Sequence, residues 1–264
     1  MTSVPINVLF SRDYSKLSSA FNVLPDDRFK VIACPLFDIK PVVKQRQLAD
    51  DFYQAVTADY LIFTSQYAVI ETIEYLKTLG INSSQLKQVK ICAVGPIVAQ
   101  KLAEYGLATD MMPDLYTAES LAELFQPVVK QSVKIFFPKG NRAARKLESV
   151  LDERGYSVIS PIIYKTELRS DLEQQPATLF QSKHVDCFAF TSPSSVIALT
   201  SILGAANTIK ILSNTVICAI GTTTHQACMD AGLTVSIMPK EYTIAGLARA
   251  IEGFYSTDKC INNN

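Results

Sequence analysis

Residues 92–122 read CAVGPIVAQKLAEYGLATDMMPDLYTAESLA, and residues 218–248 read CAIGTTTHQACMDAGLTVSIMPKEYTIAGLA. Aligned without a gap at an offset of 126 positions (218 − 92), the two segments share twelve residues. Such a repeat is too long for a solenoid, whose units reach about 50 residues, and it has the size of a small domain. The chain is therefore predicted to contain two similar domains facing each other across a cleft, where we expect its function.

Short apolar runs alternate with helical patterns along the whole chain. Most of these runs are apolar on both faces, which is typical of buried strands in a parallel sheet. Three helical patterns end at a glycine, as helices commonly do. The sequence predicts an α/β fold of two flavodoxin-like domains with parallel sheets. The predicted strands are 6–11, 30–35, 60–65, 90–95, 134–139, 157–162, 187–192 and 216–221, and the three helical patterns are 68–79, 99–105 and 142–154.

Two extended runs contain a proline at equivalent places in the two repeats. They are VIACPLFDIKPVV (31–43) and VISPIIYKTEL (158–168). Proline removes a hydrogen-bond donor from a strand, so each run is predicted to lie at a sheet edge or between elements. We interpret them as crossings between the two domains, so that the chain would leave the first domain near Pro35 and return to it near Tyr164. The predicted boundaries are 1–35 plus 166–264 for the first domain and 36–165 for the second, with linkers near 33–41 and 160–168.

The overall composition excludes several classes of protein. Lys+Arg and Asp+Glu both number 25, so the formal charge is zero, whereas nucleic-acid-binding proteins are normally basic. No segment approaches the run of about 18 apolar residues that a membrane span needs, and the N-terminus does not read as a secretory signal. We expect a cytoplasmic protein without a membrane or nucleic-acid partner. The six cysteines are interpreted as buried, reduced thiols, and their spacing does not suggest a zinc site.

Six predicted strands are followed by turns rich in hydroxyl, amide, glycine and basic residues, among which only Asp13 is acidic. Ligands of open parallel sheets bind at these strand ends, where helix N-termini offer free N–H groups. The turns therefore predict a ligand that carries many carboxylates or phosphates. The same Ser and Thr residues also fit plain helix N-caps, and this alternative stays open. The candidate binding residues are Arg12, Thr64, Ser65, Gly95, Lys139, Gly140, Asn141, Ser192, Pro193, Ser194, Gly221, Thr222, Thr223 and Thr224.

Residues of the usual catalytic types are scarce. Of the two histidines, His184 precedes a strand and is expected at the surface, and His225 lies in the first turn after Gly221. Tyr164 lies in the second proline-containing run, where its phenol would be able to donate a proton or a hydrogen bond in the cleft. The alternative for Tyr164 is ordinary packing within a strand.

The chain resembles the uroporphyrinogen-III synthase family over nearly its whole length. Each matching segment is weak alone, but their order and spacing together are specific. These segments are VLFSR (8–12), PLFDIKP (35–41), DYLIFTSQYAV (59–69), ICAVG (91–95), FPKGNRAARKLESVLDERGYSV (137–158), IIYKTEL (162–168), FAFTSPSSV (188–196), AIGTTT (219–224) and MPKEYTIAGLARAI (238–251).

The resemblance implies a hydro-lyase of tetrapyrrole (haem) biosynthesis that uses no cofactor and no metal, with two α/β domains, one of them discontinuous, joined by a two-stranded linker. The oligomeric state stays open, with a monomer as our default expectation. Such enzymes take hydroxymethylbilane, remove water, invert ring D and close the macrocycle to uroporphyrinogen III. Eight carboxylates on this substrate would suit the acid-poor turns. Transient contact with the enzyme of the preceding step is left open.

Individual residues are carried over by their match to the family's motifs. Tyr164 matches the tyrosine of its Y-x-T motif and would assist departure of the hydroxyl. Thr223 and Thr224 match its glycine–threonine turn. Thr64 and Ser192 match the hydroxyl residues of two further turns, and Arg12 matches a basic residue after the first strand.

Two other functions remain as alternatives to catalysis. A two-domain sensor for a small anionic ligand would bind without forming a product. A flavodoxin-like electron carrier would carry a yellow flavin.

Overall fold

The computed structural model describes residues 4–42, 46–129, 133–169 and 184–261. Its contacts divide the chain into two compact units. We call Met1–Asp38 with Leu168–Asn264 unit 1, and Ile39–Glu167 unit 2. Each unit holds a parallel sheet with helices packed on both of its faces, so the predicted α/β fold class is confirmed.

The described residues form strands β1 to β11 and helices α1 to α10. The strands are β1 (Ile6–Phe10), β2 (Phe29–Ala33), β3 (Phe37–Pro41), β4 (Tyr60–Phe63), β5 (Lys90–Ala93), β6 (Lys134–Phe136), β7 (Lys139–Gly140), β8 (Ser157–Ile159), β9 (Ile162–Leu168), β10 (Cys187–Phe190) and β11 (Val216–Ala219). The helices are α1 (Ser18–Phe21), α2 (Arg46–Ala55), α3 (Gln66–Thr78), α4 (Pro96–Glu104), α5 (Ala118–Glu123), α6 (Lys146–Glu153), α7 (Pro193–Leu203), α8 (Ala205–Ile211), α9 (Thr222–Asp230) and α10 (Ile244–Ile261).

The two main sheets have the same strand order once the repeat is taken into account. Unit 1 contains β11-β10-β1-β2, and unit 2 contains β5-β4-β6-β8, with all neighbouring strands parallel. The sequence matches pair β10 with β4 and β1 with β6, which hold equivalent positions. Read from β2, unit 1 has the first four positions of the flavodoxin order. Beside β5 and β11, the single parallel bridges Cys92–Met111 and Cys218–Ile237 occupy the fifth position.

A third, smaller sheet contains the proline-containing runs. Its order is β3-β9-β7. Pro35 separates β2 from β3, and Pro161 separates β8 from β9, so each proline lies between two elements as predicted. The N–H of Val42 donates to the carbonyl of Ile163 at 2.9 Å, and the N–H of Arg169 donates to that of Leu36 at 3.2 Å. The two runs are therefore antiparallel neighbours.

All eight predicted strands form, but each ends one to three residues before its apolar run does. The residues that follow are turns or helix N-caps, such as Ser65, Gly95 and Ser192. The helix predicted at 142–154 begins only at Lys146. The reason is a turn closed by a hydrogen bond from Ala143 N–H to the Gly140 carbonyl, at 3.1 Å.

Buried cysteines contribute to both units. Five of the six are buried free thiols, in agreement with the prediction, while the Cys260 side chain lies outside the described part of the chain. Burial raises the pKa of the Cys92 and Cys228 thiols to about 12 and that of Cys34 to about 11. These thiols therefore stay protonated and behave as small apolar side chains.

Over the described residues, no single helix combines the length and the apolar character needed to cross a bilayer. The bent pair α7 and α8, which meet at 101°, satisfies both conditions only when taken together.

Candidate active site

The carboxyl ends of β4 and β5 lead directly into α3 and α4. Ser65 is the N-cap of α3, and its Oγ accepts a hydrogen bond from the N–H of Tyr67 at 3.1 Å. Gly95 is the N-cap of α4, whose first residue is Pro96. Two adjacent parallel strands thus place two helix N-termini side by side, each with unpaired backbone N–H groups and partial positive charge.

A groove of about 400 Å³ lies between these two N-termini, at the lower end of the range for small-molecule sites. We call it the unit 2 groove. It contains three of the predicted site residues, and its wall is mostly apolar. The lining residues are Thr64, Ser65, Gln66, Tyr67, Val94, Gly95, Pro96, Ile97, Val98 and Tyr116.

Tyr116 packs on Gly95 at one side of the unit 2 groove. A Cβ added at Gly95 would lie 3.2 Å from both Cβ and Cγ of Tyr116, so only glycine allows this close contact without adjustment. Thr117 follows Tyr116 and caps α5 by accepting from the N–H of Ser120 at 3.1 Å. Although Tyr116 is held in this way, 59% of its surface is exposed. Tyr116 therefore presents an exposed aromatic ring beside the N-cap glycine of α4.

Tyr164 lies on β9, next to the turn after β7. Its ring covers Gly140, because a Cβ added there would lie 2.5 Å from Cε2 and Cζ of Tyr164. The ring centroids of Tyr164 and Tyr67 are 6.1 Å apart, and Tyr67 lines the unit 2 groove. The structure therefore brings the predicted catalytic residue close to the predicted Thr64–Ser65 turn.

Asn141 holds the turn beside Tyr164. Its backbone N–H donates to the carbonyl of Tyr164 at 3.1 Å, and its side-chain oxygen accepts from the N–H of Thr166 at 2.9 Å. The Asn141 side chain thus links the turn after β7 to β9, the strand that contains Tyr164.

Lys139 is buried, and its ammonium forms an ion pair within unit 2. Its Nζ lies 2.5 Å from Oε1 of Glu148, which also accepts from the hydroxyl of Ser160. The side chains of Lys139 and Glu148 are only 10% and 14% exposed. The structure thus gives Lys139 an internal partner that the sequence analysis did not foresee.

In unit 1, the end of β10 repeats the arrangement of β4. Ser192 caps α7 by accepting from the N–H of Ser195 at 3.2 Å, and its hydroxyl lies 2.9 Å from that of the exposed Ser194. Pro193 is the first residue of the helix. Beneath this turn, the buried hydroxyl of Ser11 contacts Ser195 at 3.1 Å and Thr191 at 3.3 Å. These hydroxyls join the ends of β1 and β10.

The end of β11 repeats the arrangement of β5. Gly221 is the N-cap of α9, and a Cβ added there would lie 3.0 Å from the ring of Tyr242. Tyr242 is 55% exposed, so the contact between tyrosine and glycine occurs in both units. Thr222 and Thr223 are exposed, whereas Thr224 is 1% exposed. Only the first two hydroxyls of the triple threonine face solvent.

The remaining candidates lie at the surface of unit 1. Arg12 is exposed directly after β1. Beside it, hydrogen bonds from the hydroxyl and then the backbone N–H of Ser15 lower the pKa of Asp13. His184 is exposed, as expected, with its Nε2 3.1 Å from Asp186, and His225 is half-buried in α9. Among the described residues, no three His, Cys, Asp or Glu side chains are grouped as ligands for a metal ion.

Three tyrosines at these strand ends were not among the site residues predicted from the sequence. Tyr67 links the unit 2 groove to Tyr164, and Tyr116 and Tyr242 cover the two N-cap glycines. Two of the three are conserved between the copies of the repeat: Tyr116 aligns with Tyr242, and Gly95 aligns with Gly221. The identity of these two tyrosines in the repeat was the sequence signal that could have identified them as candidate site residues.

Comparison with known proteins gives one consistent family. The family model described as uroporphyrinogen-III synthase HemD matches residues 24–249. The uroporphyrinogen-III synthase of Synechococcus elongatus is 29% identical over 228 residues, which cover 84% of this chain and 85% of that protein. The enzyme of Chlorobaculum parvum is 28% identical over 195 residues, covering 72% and 77%.

Solved structures give the same result for the fold. A mutant uroporphyrinogen III synthase from the extreme thermophile Thermus thermophilus matches with a TM-score of 0.65 and 18% identity, covering 96% of this chain and 99% of that one. Uroporphyrinogen-III synthetase from Helicobacter pylori matches with a TM-score of 0.59 at the same identity and coverage. At this identity the likeness concerns the fold.

Proposed function

Because the chain belongs to the uroporphyrinogen-III synthase family, we propose that it cyclises hydroxymethylbilane to uroporphyrinogen III with loss of water and inversion of ring D. The observation that carries the proposal is the family match over residues 24–249, which includes both copies of the repeat. The reaction makes the protein a hydro-lyase of haem biosynthesis.

Positioning supplies much of the catalysis in this proposal. A flexible chain of four pyrroles has to be folded so that its two ends meet, and holding reactants in place can contribute several powers of ten in rate. The exposed hydroxyls of Thr222, Thr223 and Ser194 and the N-termini of α7 and α9 support binding of the substrate carboxylates in unit 1. In unit 2 the N-termini of α3 and α4 offer the same donors.

Tyr164 takes part in the first chemical step that we propose. Its phenol donates a proton, or a hydrogen bond, to the hydroxymethyl oxygen of the substrate while the C–O bond breaks. Water leaves, and the pyrrole nitrogen gives up its proton to leave a neutral azafulvene. Ring D then attacks the azafulvene carbon through its substituted α-carbon to form a spiro intermediate. The bond from that α-carbon to the methylene carbon of ring C breaks, which leaves an azafulvene on ring C. The free α-carbon of ring D attacks this second azafulvene and loses its proton, so the macrocycle closes with ring D inverted. The half-buried ring fixed over Gly140 supports this assignment.

The proposal further includes a cytoplasmic monomer with domains 1–35 plus 166–264 and 36–165. Light scattering coupled to size-exclusion chromatography measures the oligomeric state, and a dimeric mass would overturn that part.

The test of the function is to supply freshly prepared hydroxymethylbilane and to separate the isomers of the product. We expect uroporphyrinogen III, whereas spontaneous closure gives the type I isomer. Formation of type I alone, at the rate of the protein-free sample, would overturn the proposal. Saturable binding without product would favour the alternative of an anion sensor.

Replacing Gly140 by alanine is expected to reduce kcat about tenfold while Tyr164 itself stays present. The new Cβ would lie 2.5 Å from Cε2 and Cζ of Tyr164, so the ring has to move. A misplaced catalytic group costs rate even when the fold is kept. The measurement is kcat together with the unfolding midpoint.

The matched control is Gly253→Ala, since nothing lies within 4 Å of a Cβ added at Gly253. Its kcat should stay at the level of the unmodified protein. Equal kcat values for the two alanine variants would show that the position of Tyr164 does not matter.

A further inference from the structure

The two copies of the strand-end site differ chemically, although their backbones are arranged in the same way. Three residues of the unit 2 groove, Pro96, Ile97 and Val98, align with the triple threonine of unit 1 at 222–224. At the neighbouring turn, Tyr67 aligns with Ser194. Unit 2 thus has three apolar residues where unit 1 has three threonines, and at Tyr67 it has an aromatic ring, with its own hydroxyl, where unit 1 has a serine. The two pairs that face solvent are Pro96 with Thr222 and Ile97 with Thr223, whereas Val98 and Thr224 are both buried.

This difference suits the two sites to two kinds of ligand group, a carboxylate in unit 1 and an apolar ring in unit 2. Hydroxyls beside a helix N-terminus can donate hydrogen bonds to a carboxylate. Side chains such as Pro96, Ile97 and Val98 cannot donate hydrogen bonds and instead bury apolar surface. The exposed ring of Tyr116, which packs on Gly95, adds an aromatic surface to the groove. The unit 2 groove is therefore suited to a flat, apolar ring.

On the basis of the proposed function, we propose that the unit 2 groove binds one pyrrole ring of the substrate, with Tyr116 as a positioning residue. Aromatic rings gain from offset or edge-to-face packing on one another. The size of about 400 Å³ fits a single ring with its side chains better than a whole tetrapyrrole. Tyr67 lines the groove, and its ring centroid is 6.1 Å from that of Tyr164, so a ring held in the groove lies near the proposed catalytic residue.

Tyr116→Leu is expected to raise KM about tenfold and to change kcat less than threefold. Tyr116→Phe keeps the ring and should restore KM. Tyr53→Leu is the matched control, because Tyr53 is also an exposed tyrosine of unit 2 and lies outside the groove. A purely structural role would lower the unfolding midpoint and leave KM unchanged. An unchanged KM in Tyr116→Leu therefore overturns the assignment of Tyr116.

Two small probes test the groove independently of turnover. One is 2,5-dimethylpyrrole, which has a ring and no carboxylate, and the other is propane-1,2,3-tricarboxylate, which has carboxylates and no ring. With ¹³C-methyl-labelled isoleucine and ¹⁵N-labelled backbone, we expect the pyrrole to shift the Ile97 methyl signal and the tricarboxylate to shift the Thr222 and Thr223 amides. Loss of the pyrrole-induced shift in Tyr116→Leu supports the proposal.

Absence of any shift of Ile97 with the pyrrole overturns the proposal, as does a shift of Ile97 with the tricarboxylate alone. These outcomes are distinguishable from failure of the proposed function. If the isomer assay yields only type I product, the probe spectra still report whether the unit 2 groove binds a ring. If type III product forms and Ile97 does not respond, the function stands and the role of the groove is withdrawn.

Discussion

Tyr164→Phe is expected to lower kcat about 100-fold and to leave the fold intact. General acid catalysis by a positioned side chain contributes about 10² to 10⁴ in rate, and phenylalanine keeps the ring while removing the acidic proton. The ring contacts with Gly140 and Tyr67 do not involve the phenol oxygen alone, so packing in unit 2 should be preserved. Binding of the substrate carboxylates takes place elsewhere in our proposal, and KM should change little.

The measurement is kcat and KM under initial-rate conditions, with the isomer ratio of the product as a second readout. Slow turnover lets substrate escape and close spontaneously, so the proportion of type I product should rise in the variant. Tyr53→Phe serves as the control, since it removes an exposed phenol of unit 2 that lies outside the groove. If Tyr164→Phe turns over at the normal rate, a bound water or a group of the substrate supplies the proton instead.

The α/β fold class could be predicted because its signal is local. A strand buried on both faces, such as β4 or β10, has to be apolar at nearly every position, and such runs are visible without any alignment. Glycines such as Gly80 and Gly106 adopt φ values of 74° and 72°, which explains why they end α3 and α4. The repeat supplied the equivalence of strands, from which the shared strand order follows.

The exact ends of the elements could not be predicted in the same way. Ser192, two residues after the end of β10, is as compatible with a strand as with a helix cap until its Oγ is seen to accept from the N–H of Ser195. The late start of α6 has a similar cause, since the turn from Gly140 to Ala143 depends on the pairing of β7 with β9. Contacts between distant segments decide these boundaries, and a single sequence does not show them.

The sequence predicted which strand-end turns form the candidate site, but it did not predict which of their side chains are exposed or what those side chains contact. Thr224 is buried while Thr222 and Thr223 are exposed, and helical spacing gave a hint, because Thr224 and the apolar Cys228 are four residues apart. Tyr116 carried no local signal except its duplicate at Tyr242. A role for such a residue becomes apparent only when the ring is found against an N-cap glycine.

The pairing of Lys139 with Glu148 is the clearest case of a side-chain contact that could not be predicted from the sequence. A lysine in a strand-end turn reads as a ligand for an anion, and nothing in the sequence indicates that a glutamate nine residues later turns back toward it. The structure places the two charged groups 2.5 Å apart within unit 2, away from solvent. Two roles for Lys139, substrate binding and internal pairing, therefore make different predictions for the same variant.

Lys139→Met is expected to destabilise unit 2 by about 3–5 kcal/mol, because it leaves the carboxylate of Glu148 buried without its cation. The side chains are 10% and 14% exposed, so water cannot replace the missing partner fully. Urea denaturation gives the free energy of unfolding for Lys139→Met, Glu148→Leu and the double variant. We expect the double variant to be more stable than either single variant, since replacing both charges by apolar groups is often neutral. A rise in KM for Lys139→Met with unchanged stability would instead assign its ammonium to the substrate carboxylates.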